Sequence, residues 1–238
     1  MSGFVHSSLG PGLGAAVDPR ADPQLLARIG DNVRRRLQAN EGAIDQGGGK
    51  ADLFVVPDFL SRRECKRLVR LVERKIGPSE LFRGTEIDGF RTSSTHFFER
   101  DDPETLDLEK IDGLLGIDHR FAEVTQGQRY LAGQQFKHHH DYFTVTESYW
   151  AQEKRRGGQR TWTAMVYLNQ PEEGGATHFP GLGLSVASAT GTLLTWNNMD
   201  RDGRPNPATL HAGTPVNAGS KYVITQWYRQ DEWSLYLR

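Results

Sequence analysis

The chain has 238 residues, with 29 Lys plus Arg against 30 Asp plus Glu and a formal net charge of −1. That balance leaves no basic footprint for a nucleic acid, and no apolar run approaches the length of a membrane span. The length is ample for one large β-domain with a sizeable core, and the single cysteine, Cys65, cannot form an intrachain disulfide.

The start, Met1-Ser2-Gly3-Phe4-Val5-His6, lacks the basic n-region and continuous apolar stretch of a secretory signal. The expectation is a soluble protein of a reducing compartment, most simply cytoplasmic. Residues 1–22 are rich in Gly, Pro and Ala and are expected to be loose. Residues 23–40 carry Leu25, Leu26, Ile29, Val33 and Leu37 at helical spacing, with Asp22 as N-cap. Gln46-Gly47-Gly48-Gly49 has the composition of a linker. Residues 1–50 are therefore expected to be a flexible extension with one helix, and residues 51–238 the main domain. Phe54-Val55-Val56 is strand-like. Ser61 caps a helix to about Ile76, with Glu64 at the capping-box position and Leu68, Leu71, Val72 and Ile76 on one face. Cys65 falls in that helical pattern as a small core residue. A further helix is predicted over residues 103–115. From about Glu123 onward, short strands alternate with Gly/Pro/Asn turns, the pattern of a sandwich. The fold class expected is mainly β with packed helices (α+β), the helices lying outside the major sheet.

The chemistry concentrates in Tyr130-Leu131-Ala132-Gly133-Gln134-Gln135-Phe136-Lys137-His138-His139-His140-Asp141-Tyr142-Phe143 and, further on, Leu210-His211-Ala212-Gly213. In a strand, residues two apart share a face, so His139 and Asp141 point together and His138 and His140 point away. With His211 as remote partner, they make a facial triad of two histidines and a carboxylate, a ligand set suited to a non-haem Fe(II) centre that activates O2. A short histidine tract alone is equally compatible with a solvated patch or an adventitious metal binder. The flanking strand patterns favour the triad, because two strands delivering ligands from separate parts of the chain is how a double-stranded β-helix, or jelly roll, builds a metal site. In the strand-like segment Lys221-Tyr222-Val223-Ile224-Thr225-Gln226-Trp227, Lys221, Val223, Thr225 and Trp227 share one face. A lysine there is either an edge-strand cation or a buried one that needs an anion.

Taken together, these stretches resemble the prolyl 4-hydroxylase family of Fe(II)- and 2-oxoglutarate-dependent dioxygenases. The resemblance extends over most of residues 52–230. It includes Val56-Pro57-Asp58-Phe59-Leu60-Ser61, Arg91-Thr92-Ser93-Ser94, residues 130–143, Thr163-Ala164-Met165-Val166-Tyr167-Leu168-Asn169 and Gly174-Gly175-Ala176-Thr177-His178-Phe179-Pro180. Residues 191–197, Leu210-His211-Ala212-Gly213-Thr214-Pro215-Val216, Gly219-Ser220-Lys221-Tyr222 and Trp227 complete it. The resemblance implies iron at His139, Asp141 and His211. It implies the distal carboxylate of 2-oxoglutarate at Lys221, with Tyr130 and Thr177 beside it, and Arg91 and Trp227 near the substrate or cosubstrate. The implied reaction uses O2, with ascorbate as reductant, and hydroxylates an unactivated C–H bond with release of succinate and CO2. The favoured substrate is a proline-containing peptide or protein.

This chain departs from the pattern at Ala176, where the family often has an acidic residue, and at His178, where an apolar one is usual. His178 and His96 are expected to be hydrogen-bonded or half-exposed histidines and not ligands. The segments around residues 78–91 and 144–160 match least, and such loops choose the substrate; residues 80–89 and 144–158 are expected to form a mobile lid. Two competing readings follow: the same chemistry on a free amino acid or other small molecule, and a non-catalytic jelly-roll protein that binds a metal or carboxylate ligand.

Overall fold

The computed structural model describes residues 22–79, 90–99, 105 and 108–234. In chain order these form α1 (Pro23–Gln38), β1 (Ile44–Asp45), β2 (Leu53–Val56), α2 (Arg62–Arg74), β3 (Gly77–Pro78), β4 (Ser94–Phe97) and α3 (Glu109–Leu115). Then follow β5 (Gln126–Leu131), β6 (Phe136–His139), α4 (Trp150–Arg155), β7 (Arg160–Tyr167), β8 (Glu173–Gly174) and β9 (Thr177–Phe179). The chain closes with β10 (Leu184–Val186), β11 (Leu193–Asn197), β12 (His211–Gly213), β13 (Val216–Ala218) and β14 (Ser220–Arg229).

An eight-stranded sheet in the order β1-β2-β11-β7-β14-β5-β4-β3 faces a four-stranded sheet in the order β10-β9-β12-β6, with β13 and β8 paired beside them. This is the jelly roll expected from the strand pattern. All eight residues of β7 are buried, because both faces of the major sheet are covered. Alternation then sorts each strand between two cores. Phe54, Trp162, Ala164, Val166, Leu193, Ile224 and Tyr228 pack with the helices. Leu53, Met165, Tyr167, Leu194, Trp196 and Val223 point between the sheets, where they meet Tyr130 and Phe179.

The helix ends follow local chemistry. Asp22 accepts a hydrogen bond from the Leu25 N–H at 3.0 Å, and Pro23 occupies a first-turn position that needs no N–H. Ser61 and Glu64 form the reciprocal capping box: the Ser61 N–H donates to Glu64 Oε2 at 2.7 Å and the Glu64 N–H to Ser61 Oγ at 3.3 Å. Helix α2 stops at Arg74, short of Ile76, which still packs against the helix-side core. Cys65 is fully buried there, and burial pushes its thiol up to about 11. Helix α3 ends at Gly116, which adopts the left-handed conformation at φ 70°. It is shorter than expected, and residues 103, 104, 106 and 107 lie outside the described residues, as do 80–89 and 1–21.

The boundary expected near residue 50 does not separate two packing units. Leu26, Val33 and Leu37 of α1 are buried, and Val33 and Leu37 belong to the same core as Phe54 and Trp162. Gly30 allows this approach, since a Cβ there would lie 2.5 Å from Asn197 Nδ2. Nor is Gln46-Gly47-Gly48-Gly49 a linker. It starts the turn between the antiparallel strands β1 and β2, with the Gln46 N–H bonded to Leu53 O at 2.8 Å. At Gly47 a Cβ would lie 1.7 Å from the Ala51 carbonyl oxygen, so composition reflected a tight turn and not a tether.

Candidate active site

Strands β6 and β12 are antiparallel neighbours, and their register sets His211 directly opposite His139. Strand β6 ends at His139, and Asp141 lies in the bend that follows. The turn of the chain there brings its carboxylate back over the pair. His139 Nε2 is 3.7 Å from Asp141 Oδ1, and His211 Nε2 is 3.9 Å from Asp141 Oδ2. Among the described residues this is the one cluster of three such donors, its ligand atoms all within 4.8 Å of one another.

The backbone decides which nitrogen of each imidazole is available. His139 Nδ1 lies 2.8 Å from Lys137 O, and His211 Nδ1 lies 3.0 Å from Thr209 O. A carbonyl can only accept, so each Nδ1 carries the proton and each Nε2 presents a lone pair toward Asp141. Burial first, and then His211, hold the His139 imidazole well below its ordinary value, in the neutral form a metal requires. Burial works to raise the Asp141 carboxyl, but His211, His139 and Arg160 outweigh it and keep the group ionised. Behind Asp141 runs a buried chain of donors. Thr163 Oγ1 donates to Asp141 Oδ2 at 2.8 Å, Asn198 Nδ2 to Thr163 Oγ1 at 3.0 Å, and Trp196 Nε1 to Asn198 Oδ1 at 3.1 Å. Two imidazoles turned with Nε2 toward one oriented carboxylate fit a divalent iron site with further positions left for other ligands.

His138 and His140 stay off this site; alternation accounts for His138, whereas His140 lies just beyond the end of β6. His138 contacts His178 at 3.4 Å, and His140 stacks on Tyr142 with ring centres 4.4 Å apart. His96 contacts Lys75 O at 3.3 Å, on β4 in the major sheet.

The triad opens into a cavity that Arg91, Tyr130, Thr177, Lys221 and Trp227 also line. Lys221, Val223, Thr225 and Trp227 all face it from β14, as their spacing predicts. Since β14 lies between β7 and β5, Lys221 is no edge lysine. It is 3 % exposed and stands opposite Tyr130 in the ladder. Its Nζ lies 5.6 Å from the centre of the Tyr130 ring and 5.3 Å from that of Tyr167. Burial alone lowers its ammonium to about 7, with no counter-charge among the described residues to oppose the shift. Thr177 Oγ1 accepts from Tyr167 OH at 2.7 Å, and Thr225 Oγ1 donates to Gln128 Oε1 at 2.9 Å. The cavity thus carries hydroxyl and amide groups around a buried ammonium that has no counter-charge, the equipment for a carboxylate.

In the same cavity, the Arg91 guanidinium lies 5.0 Å from the Phe136 ring centre. It donates to Ser93 Oγ at 3.2 Å and to Thr95 Oγ1 at 3.3 Å. Trp227 lies beneath Arg160, whose guanidinium is 4.2 Å from the indole. Arg160 is itself clamped by Glu123 through bonds of 2.6 and 2.7 Å.

Comparison with known proteins agrees with this geometry. The model of the 2OG-Fe(II) oxygenase superfamily matches residues 125–229, which hold both histidines, Asp141 and Lys221. Prolyl 4-hydroxylase 1 of Arabidopsis thaliana is 32 % identical over 200 residues, covering 75 % of this chain and 69 % of that one. The chain belongs to the prolyl 4-hydroxylase family. It is a 2-oxoglutarate-dependent dioxygenase that uses Fe(II) and O2. Among solved structures, the viral collagen prolyl hydroxylase of Paramecium bursaria Chlorella virus-1, in complex with 2-oxoglutarate, aligns with a TM-score of 0.57. It has 29 % identity and covers 74 % of this chain and 95 % of that one. A prolyl hydroxylase from Trichoplax adhaerens shares the fold at 18 % identity and a TM-score of 0.57, covering 87 % and 91 %.

Within this member of the prolyl 4-hydroxylase family, residues 144–158 are not the loose lid their polarity suggested. They contain α4, and Trp150 and Glu153 are buried. Glu153 pairs with Arg229, and Arg229 Nε lies 2.5 Å from Glu123. The Gln159 amide closes the segment on Phe143, accepting from its N–H at 2.6 Å and donating to its carbonyl at 2.9 Å. The physical reason is that Glu153 enters a buried ion network with Arg229, which holds the segment down. Thr163, Tyr167, Gln128 and Arg160 escaped the sequence reading. For Gln128 a signal existed, since Gln126, Gln128 and Tyr130 alternate as a polar-tipped face of one strand; Thr163 carries none, because threonine is ordinary in strands.

Proposed function

We propose that this dioxygenase hydroxylates peptidyl proline, with Fe(II) held by His139, Asp141 and His211. The observation that carries the reading is the convergence of two imidazole lone pairs and one carboxylate in a cavity that also contains a buried lysine without a counter-charge. Lys221 receives the distal carboxylate of 2-oxoglutarate, with Tyr130 and Thr177 beside it, and the anion restores the charge that burial disfavours. When bound, Fe(II), 2-oxoglutarate and O2 together supply the oxidation that places one oxygen atom on an unactivated carbon and releases succinate and CO2. The chain's own share is positional. Lys137 O and Thr209 O fix the imidazole tautomers, Thr163 aims Asp141, and Trp227 and Phe136 give the cavity apolar lining. Arg91 gives a donor at the cavity wall.

Support for proline comes from the names of the relatives, a prolyl 4-hydroxylase and a collagen prolyl hydroxylase. Ascorbate is the reductant we assign, and the cytoplasm the compartment. The test is incubation with Fe(II), 2-oxoglutarate and ascorbate against a panel of proline-containing peptides and free amino acids. The expected result is gain of one oxygen atom on a peptide proline, stoichiometric with succinate. Oxygen gained by a free amino acid alone would make it a small-molecule hydroxylase. Iron binding with no 2-oxoglutarate consumption under any condition would leave only the binding-protein reading.

A further inference from the structure

We propose that His138 and His178 form a second metal site, on the outer face of the four-stranded sheet, for a divalent transition metal of the zinc type. The topology separates it from the triad. On β12, His211 faces the inner cavity, so Ala212 faces outward. Ala212 pairs with His178 on β9, and Thr177 lines the inner cavity, so His178 also faces out. His138 comes from β6 on the far side of β12. The two imidazoles therefore reach toward each other across the small side chain of Ala212, and a larger residue there would hold them apart.

They meet nitrogen to nitrogen, His138 Nε2 at 3.4 Å from His178 Nδ1, with ring planes inclined at 70°. Zinc–nitrogen bonds of about 2.0–2.1 Å at tetrahedral angles set two ligand nitrogens about 3.4 Å apart. The pair already has the bite of a bidentate zinc ligand, and a metal replaces the one proton the two nitrogens otherwise share. Both residues are half-buried and open into a groove of about 390 Å3, which leaves room for water to complete the coordination. Lys137 borders the same groove but is exposed, so its charge is solvated. Without a carboxylate, the pair favours zinc, copper or nickel over the harder cations. Iron has its own three-donor site inside. This outer site is independent of the substrate reading.

Zinc titration of chelator-stripped, full-length protein against a chromophoric zinc indicator tests it. The wild type is expected to take two equivalents per chain. His178→Ala is expected to take one, held by the triad, and His139→Ala one, held by the outer pair. His138→Gln removes the same equivalent as His178→Ala and serves if the latter fails to fold, as judged by circular dichroism. A single equivalent in the wild type, or two in either folded outer-pair variant, overturns the site.

Discussion

At the scale of single residues, the metal centre separates ligands from their neighbours by geometry. His140→Ala is expected to retain most metal-dependent turnover, whereas His139→Ala, Asp141→Ala and His211→Ala abolish iron binding. Iron titration of the four variants checks this, and loss of iron in His140→Ala with retention in His139→Ala would invert the register. Thr163→Val removes the hydroxyl that aims Asp141, and an outer-shell partner of this kind is worth roughly 10–100-fold in metal affinity. An unchanged iron Kd in a folded Thr163→Val protein would show that the hydroxyl only fills space. Lys221→Ala should weaken 2-oxoglutarate far more than iron, since a charge-assisted bond of about 1.5–3 kcal/mol is roughly tenfold to over a hundredfold in affinity. The lysine also predicts a pH profile. Its ammonium titrates at about 7 in the folded protein, and the anion binds the protonated form. Binding of 2-oxoglutarate should therefore be strongest below pH ~7 and weaken by up to about tenfold per pH unit above it. A flat affinity across that range, measured by equilibrium dialysis with the metal present, would sink the assignment.

At the scale of elements, the ligand strands were legible because a period of two is a strong signal over β6 and β14. What alternation could not reveal was partner choice. That His211 sits opposite His139 follows from sheet order, and nothing near either residue announces it. The segment carrying α4 was misjudged for the same reason: Glu153 looks like any surface charge until Arg229, far along the chain, arrives to bury it. Breaking one member of such a pair leaves an uncompensated buried charge, at a cost of about 3–5 kcal/mol. Glu153→Ala should accordingly lower stability by that order in urea denaturation. It should also disturb Trp227, since Arg229 and Arg160 share Glu123. A variant as stable as the parent would mean that the segment is held without the ion pair, by Trp150 and the Gln159–Phe143 bonds.

At the scale of the whole molecule, the eight-stranded sheet, with β7 inside it, is the wall between a helix-side core and the active-site core. The sandwich class was readable from strand density. The membership of α1 was not, because a helix between a Gly/Pro/Ala-rich stretch and a glycine run looks detachable by composition. Leu26, Val33 and Leu37 contradict that by burial. Each such side chain contributes about 1.5–3 kcal/mol against a total stability of about 5–15 kcal/mol. A chain shortened to begin at residue 41 should thus lose cooperative thermal unfolding, and an unchanged melting profile would restore the idea of an extension.

The carbonyl bonds at His139 and His211 reach beyond tautomer choice. Each ring is moored to its own backbone two residues back, which holds its orientation without help from the other ligands. Loading is then simple exchange with the surroundings and needs no refolding. Enzyme stripped by a chelator is therefore expected to regain full turnover on adding ferrous salt without a slow refolding phase, as stopped-flow mixing would show.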